Sequence, residues 1–171
     1  MEHLFALQKV VPVIRGPSAL DTAQRLLGSG MSVIELTTTI PSWQSVIAQV
    51  RSAYPDATLG MGTVTTARDA VAAQEVGADF LVSPWPSSAV REVAHVPFIE
   101  GGFTPAEIAA AAAHGIAKLF PAHVGGPAYL RSLLAVIPGA KIIPTGGIQP
   151  SEVDEWLAAG ALAVGIGADR L

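Results

Sequence analysis

Residues 80–121 read FLVSPWPSSAVREVAHVPFIEGGFTPAEIAAAAAHGIAKLFP. Three short runs of β-branched and aromatic residues, FLVSP (80–84), PFIEG (97–101) and IAKLFP (116–121), alternate with two helical patterns, SSAVREVA (87–94) and TPAEIAAAAAHG (104–115). Strands that alternate with helices in this way predict βαβ units and a parallel sheet. The rhythm continues in both directions. Upstream lie VVPVIR (10–15), SVIELT (32–37) and TLGMGT (58–63), and downstream KIIPTGG (141–147) and ALAVGIG (161–167). Helical patterns fill most of the remaining gaps, with starts such as Pro41, Pro127 and Pro150 and stops at Gly30, Gly77, Gly115 and Gly160. Proline early and glycine late is the asymmetry expected of helix ends. Eight strand runs in one chain of 171 residues predict a closed (β/α)8 barrel, with residues 1–171 as its single domain. The alternative, an open flavodoxin-like sheet, needs only about five strands. Leu4, Phe5 and Leu7 precede the first run and predict an extra helix that plugs the barrel bottom. The chain stops just after the eighth run, so no eighth helix is expected to follow it. That would leave either Leu162, Val164 and Ile166 or Ala161, Ala163 and Gly165 as an apolar flank, expected to be covered either by a neighbouring subunit or by a helix beyond Leu171.

Composition narrows the function before any motif is considered. Half of the residues are apolar, only 14% are charged, and the net charge is −4 with no basic cluster. Low charge and high apolar content are the reverse of a disordered chain. They fit a sheet covered on both faces or a surface that meets another subunit. An acidic chain without a basic patch is not expected to bind nucleic acid. No apolar run approaches the ~18–20 residues that span a bilayer. The start MEHLFALQK has an acid where a signal peptide carries positive charge. No membrane partner and a cytoplasmic location are therefore expected. The absence of cysteine excludes a disulfide framework, a thiolate nucleophile and a cysteine-based metal site. His3, His95, His114 and His123 form no H-x-x-H or H-E-x-x-H pattern, so no metal is expected.

In a barrel of this kind the active site lies at the C-terminal ends of the strands. The residues there are Arg15, Glu35 with Thr37 and Thr39, Thr63, Ser83, Glu100, Lys118, Thr145-Gly146-Gly147, Gly165 and Gly167. Lysine is the sharpest of these signals because the chain has only Lys9, Lys118 and Lys141. Lys9 precedes the first strand and Lys141 opens the seventh, which puts both on the opposite face. Lys118 lies inside IAKLFP among apolar neighbours. Burial there disfavours the ammonium and frees an amine to attack a carbonyl. A structural ion pair across the barrel is the equally available reading. Strand alternation puts Val33, Glu35 and Thr37 on one face, so an inward Val33 brings Glu35 toward Lys118. Glu35 is then either a general acid/base beside an imine or the partner of a salt bridge with Lys118 or Arg15. The glycine pairs in PTGGI and VGIGA follow strands seven and eight, where this fold commonly holds phosphate on backbone N–H groups, although glycine pairs also serve tight turns. Trp43, Trp85 and Trp156 read as packing residues, with Trp85 also placed to wall a pocket at a strand end.

The ordered motifs VVPVIRG, VIELTTTIP, LGMGTV, FLVSP, GGFTPAE, AKLFPA, GGPAYLRSL and IPTGGI resemble the 2-keto-3-deoxy-6-phosphogluconate (KDPG) and 4-hydroxy-2-oxoglutarate (KHG) aldolase family over nearly the whole chain. The resemblance implies a (β/α)8 fold, metal-free class I aldolase chemistry through a Schiff base without any cofactor, a homotrimer, and pyruvate and an aldehyde as the small-molecule ligands. By position it makes Lys118 the imine-forming lysine and Glu35 the acid/base. It assigns Thr63 to the pyruvyl carboxylate, with Arg15 supplying the arginine that some members carry where this chain has Thr39. Thr145, Gly146 and Gly147 fall beside the substrate and its phosphate, and Ser83 and Phe120 join the substrate-contacting set. Three positions depart from the family pattern. Gly167-Ala168 replaces Gly-Ser and removes a phosphate-binding hydroxyl, Glu100-Gly101 replaces Pro-Gly and is expected to add a carboxylate near the mouth, and Met61 replaces an alanine. Two other functions remain compatible with the residues alone: a phosphate-binding barrel isomerase or synthase without an imine, and a non-catalytic trimeric scaffold.

Overall fold

The computed structural model describes residues 1–171. Eight strands, β1 (Val10–Ile14), β2 (Val33–Thr37), β3 (Thr58–Gly62), β4 (Phe80–Val82), β5 (Phe98–Gly102), β6 (Ile116–Leu119), β7 (Lys141–Pro144) and β8 (Val164–Gly167), all pair in parallel in the order β7-β6-β5-β4-β3-β2-β1-β8. The seam between the two terminal strands is closed more sparsely, by Leu162 N–H donating to the Ile142 carbonyl (2.9 Å) and by a bridge between Thr145 and Gly165. Between successive strands run α2 (Ala19–Gly28), α3 (Trp43–Ala53), α4 (Ala67–Glu75), α5 (Ser88–Val93), α6 (Pro105–Ala112), α7 (Gly126–Val136) and α8 (Val153–Ala158). This is the (β/α)8 barrel; eight paired parallel strands leave no room for an open five-stranded sheet.

Period-two alternation sorts the strand residues into two cores. Ile34, Leu36, Leu59, Met61 and Leu81 point outward and pack against α2 to α5. Ala117, Leu119, Ile142, Val164 and Ile166 do the same against α6 to α8. Their neighbours Val11, Val33, Phe80, Val82, Ile99, Ile116, Ile143 and Ala163 point inward and fill the lower barrel. Met61 thus lies in the outer core and does not reach the barrel interior.

The extra helix is present as α1 (Glu2–Gln8), and it does close the bottom. Phe5 is buried edge-on against Phe80, with centroids 5.4 Å apart. The Gln8 carboxamide pins the helix to β2: Nε2 donates to the Val33 carbonyl (2.6 Å), and Oε1 accepts from the N–H groups of Ser32 and Val33 (2.8 and 2.9 Å). Leu7, grouped with Phe5 in the sequence reading, is instead exposed, because a helix lying on one face buries only one stripe.

After β8 the chain makes a single 3-10 turn, Ala168–Arg170, and no α-helix. The expected open flank is nevertheless mostly covered, with only Ala161 and Leu162 left half-buried. Val164 and Ile166 are 0% and 1% exposed within the single chain, because Trp156 of α8 and the α7 leucines cover them. Ala168 seals the adjacent edge against Ile14 and the alanines of α2. Helix starts differ from the proline positions in two cases: Pro41 lies outside α3, whose first helical residue is Trp43, behind Ser42 in a left-handed conformation, and Pro150 opens a 3-10 turn, Pro150–Glu152, that leads into α8 at Val153.

Candidate active site

Lys118, on β6, points into the barrel and is 3% exposed. Its Nζ lies 3.7 Å from Glu35 Oε1 and 5.4 Å from the centre of the Phe120 ring. Glu35 is also buried, and Oε1 has no hydrogen-bond partner in the protein. The pair is held by geometry on three sides. β2 brings Glu35 inward with Val33, β6 brings Lys118 inward with Ile116, and Gly62 of β3 leaves the space the carboxylate occupies, since a Cβ there would overlap it. Gly165 of β8 makes the equivalent room for the Thr145 side chain. Lys9 and Lys141 lie at the opposite, N-terminal ends of their strands, where Lys141 is exposed.

Above the pair opens a cleft of about 400 Å³, lined by Val13, Arg15, Phe120, Thr145, Gly146, Gly147, Ile148, Gly167, Asp169 and Arg170. Below it lies a small space of about 10 Å³ walled by Glu35, Lys118, Thr145 and the lower-barrel side chains. Thr145 borders both, so it stands at the level of the lysine. Arg15 reaches over the rim, and its Nη1 donates to Thr63 Oγ1 at 3.3 Å. Thr63 holds φ +58°, a left-handed conformation that a β-branched residue rarely adopts. Gly146 and Gly147, at φ +96° and +76°, make the tight turn after β7, packed under Phe120 and His123.

Burial pushes the Lys118 ammonium well below the ordinary lysine range; the Glu35 carboxylate partly opposes that shift, and the Arg15 guanidinium adds to it. A neutral amine at a lower pH is what a carbonyl-attacking lysine needs. The signs give a testable pair. Glu35→Gln removes the opposing charge, so the acidic limb of imine formation is expected to move to lower pH; Arg15→Gln removes a like charge, so the limb should move to higher pH. Rates of borohydride trapping of pyruvate across pH read both shifts directly. Parallel movement of the two limbs would contradict this electrostatic account.

Several positions singled out in the sequence stand elsewhere. Glu100 faces out of the barrel, one residue after inward Ile99, where it pairs with Arg91 and accepts from the Ser87 N–H (2.7 Å). It braces α5 and places no carboxylate in the mouth. The buried Ser83 hydroxyl is committed to the backbone, donating to the Trp85 carbonyl (2.7 Å) and accepting from the Gly101 N–H (3.3 Å). Thr39 is exposed on the β2 loop, with its hydroxyl 2.8 Å from that of Thr37. Ala168 turns its methyl into the outer core and does not line the cleft, whereas Gly167 does. Trp43 and Trp156 pack in the core, but Trp85 is 56% exposed on the rim. The sequence reading passed over Asp169 and Arg170. No strand periodicity signals them, because β8 ends at Gly167 and Ala168–Arg170 is a 3-10 turn whose Asp169 and Arg170 both border the cleft.

The family model described as KDPG and KHG aldolase matches residues 1–170. A curated 2-dehydro-3-deoxy-phosphogluconate aldolase from Treponema pallidum is 35% identical over 161 residues, covering 88% of this chain and 76% of the relative. The KDPG aldolase of Legionella pneumophila, crystallised with pyruvate captured at low pH as a covalent carbinolamine intermediate, superposes with a TM-score of 0.87 at 29% identity, over 98% of this chain and 85% of that one. A cube-shaped protein cage designed by fusing symmetric oligomeric domains matches with a TM-score of 0.84 at 28% identity, over 94% of this chain and 63% of the fused chain.

Proposed function

The chain belongs to the KDPG and KHG aldolase family and is an aldolase, a carbon–carbon lyase; from that premise we propose that it acts through a Schiff base on Lys118. The observation that carries this reading is a buried lysine at the C-terminal end of β6 with a buried, otherwise unpartnered carboxylate 3.7 Å away. The carbinolamine captured in the Legionella relative supports it, because that adduct is what an amine and the ketone of pyruvate form.

The reaction follows from the arrangement. The Lys118 amine adds to the C2 ketone of a 2-keto-3-deoxy sugar acid, and the carbinolamine loses water with Glu35 supplying and removing protons. The protonated imine then accepts the electrons of the C3–C4 bond as it breaks. Glu35 takes the C4 hydroxyl proton, directly or through a water, and the aldehyde leaves. The enamine that remains gains a proton at C3, and hydrolysis returns pyruvate and the free amine. Arg15 and Thr63 orient the carboxylate, a contribution of proximity more than of chemistry. Thr145, Phe120, Gly146, Gly147 and Gly167 border the aldehyde half in the cleft. The reading needs no metal.

Two broader assignments belong to the same proposal. A homotrimer is in keeping with the oligomeric domains of the cage relative and with the exposed Trp85 and Val124. A cytoplasmic location fits a cysteine-free chain in which no helix is long and apolar enough to cross a membrane.

The test is pyruvate release, followed with EDTA present, from 2-keto-3-deoxy-6-phosphogluconate, its unphosphorylated counterpart and 4-hydroxy-2-oxoglutarate. Release from at least one of the three, unaffected by EDTA, is expected. Loss of activity with the chelator, or no release from any of them, would contradict the assignment.

A further inference from the structure

β2 ends at Thr37, the first of three consecutive threonines, and the middle one, Thr38, does something the other two do not. Thr37 Oγ1 donates to the Ile14 carbonyl at the end of β1 (3.1 Å). Thr38 turns the other way, toward β3. Its N–H donates to the Gly62 carbonyl (3.0 Å) and its hydroxyl to the Thr63 carbonyl (2.8 Å). Those two carbonyls belong to the two peptide planes that flank the Thr63 Cα. Fixing both planes fixes the φ and ψ of Thr63, the β-branched residue at φ +58° whose hydroxyl meets Arg15. A conformation of this kind persists only where its surroundings over-determine it. Thr38 itself is half-buried and does not line the cleft.

We propose that Thr38 is a positioning residue for the 2-oxo acid carboxylate: by gripping both peptide planes around Thr63, it holds the Thr63 hydroxyl against Arg15 in the pose that receives the substrate. This rests on the reading of Arg15 and Thr63 as the carboxylate site. Its effect belongs in binding more than in chemistry, because Lys118 and Glu35 stand on β6 and β2 and make no bond to Thr38. Removing the hydroxyl leaves the N–H bond to Gly62 in place, so Thr63 loses one of its two restraints.

The test compares Thr38→Val, which keeps the shape without the hydroxyl, with Thr38→Ser, which keeps the hydroxyl, each alone and with Thr63→Gly. Steady-state cleavage gives KM and kcat, and thermal melting reports the fold; Thr38→Ala replaces the valine variant if that chain is not recovered folded. Thr38→Val is expected to raise KM roughly 2- to 10-fold, the scale of one neutral hydrogen bond, with kcat changed by less than about twofold. Thr38→Ser should restore KM. In the Thr63→Gly background, which raises KM by itself, Thr38→Val should add nothing, since the two residues act in one chain. Equal KM values for the valine and serine variants, or additive effects in the Thr63→Gly background, would overturn the proposal. A Thr63→Gly variant with unchanged KM would instead remove the carboxylate reading itself, and this proposal with it.

Discussion

Replacing Lys118 by arginine is expected to lower aldol cleavage by roughly 10⁴-fold or more, the order of loss seen when a covalent nucleophile is removed. The reason is chemical. A guanidinium stays protonated and cannot add to a ketone, so the electron sink for C3–C4 cleavage is never made. Arginine keeps the positive charge beside Glu35, whereas Lys118→Met would leave that carboxylate buried without its ion-pair partner, a change that typically costs about 3–5 kcal/mol. The two variants together therefore separate chemistry from stability. Both should be inactive, and only the methionine variant should melt at a clearly lower temperature. Activity within about tenfold of wild type in the arginine variant would show that Lys118 serves as an ion-pair partner, the alternative left open by the sequence.

Glu35→Gln is expected to reduce cleavage by about 10²–10⁴-fold, the usual contribution of a positioned general acid/base. The substitution keeps the side-chain shape in the space that Gly62 leaves for it and removes the capacity to move a proton. Pyruvate should still form a trappable imine with this variant, only more slowly, because the amine is intact. This pairing of a near-silent cleavage assay with a positive trap distinguishes proton transfer from imine formation. An unchanged kcat would reduce Glu35 to a structural counter-ion.

The sequence carried the fold because each strand announced its own two faces. Val33-Ile34-Glu35-Leu36 and Ile116-Ala117-Lys118-Leu119 alternate between barrel interior and outer core, which is why Glu35 and Lys118 were legible as neighbours 83 positions apart in the chain. The errors came from reading position along a strand without its parity. Glu100 sits at the right height for the mouth, but it is the outward residue of its pair and serves Arg91 and α5. Beyond β8 parity no longer applies: in the 3-10 turn Ala168–Arg170, Ala168 packs in the outer core while Asp169 and Arg170 border the cleft. Other features were not readable at all. The cover over Val164 and Ile166 depends on how α7 and α8 pack around the barrel, and the restraint of Thr63 by Thr38 depends on a loop conformation that no periodicity encodes.

The most direct measurement is mass-spectrometric peptide mapping of the wild-type protein after incubation with pyruvate and borohydride. Reduction of the imine should add one pyruvate-derived mass irreversibly, on the peptide containing Lys118 alone, with activity lost in step with the label. Label on Lys9 or Lys141, or full inactivation without any label on Lys118, would contradict the Schiff-base account.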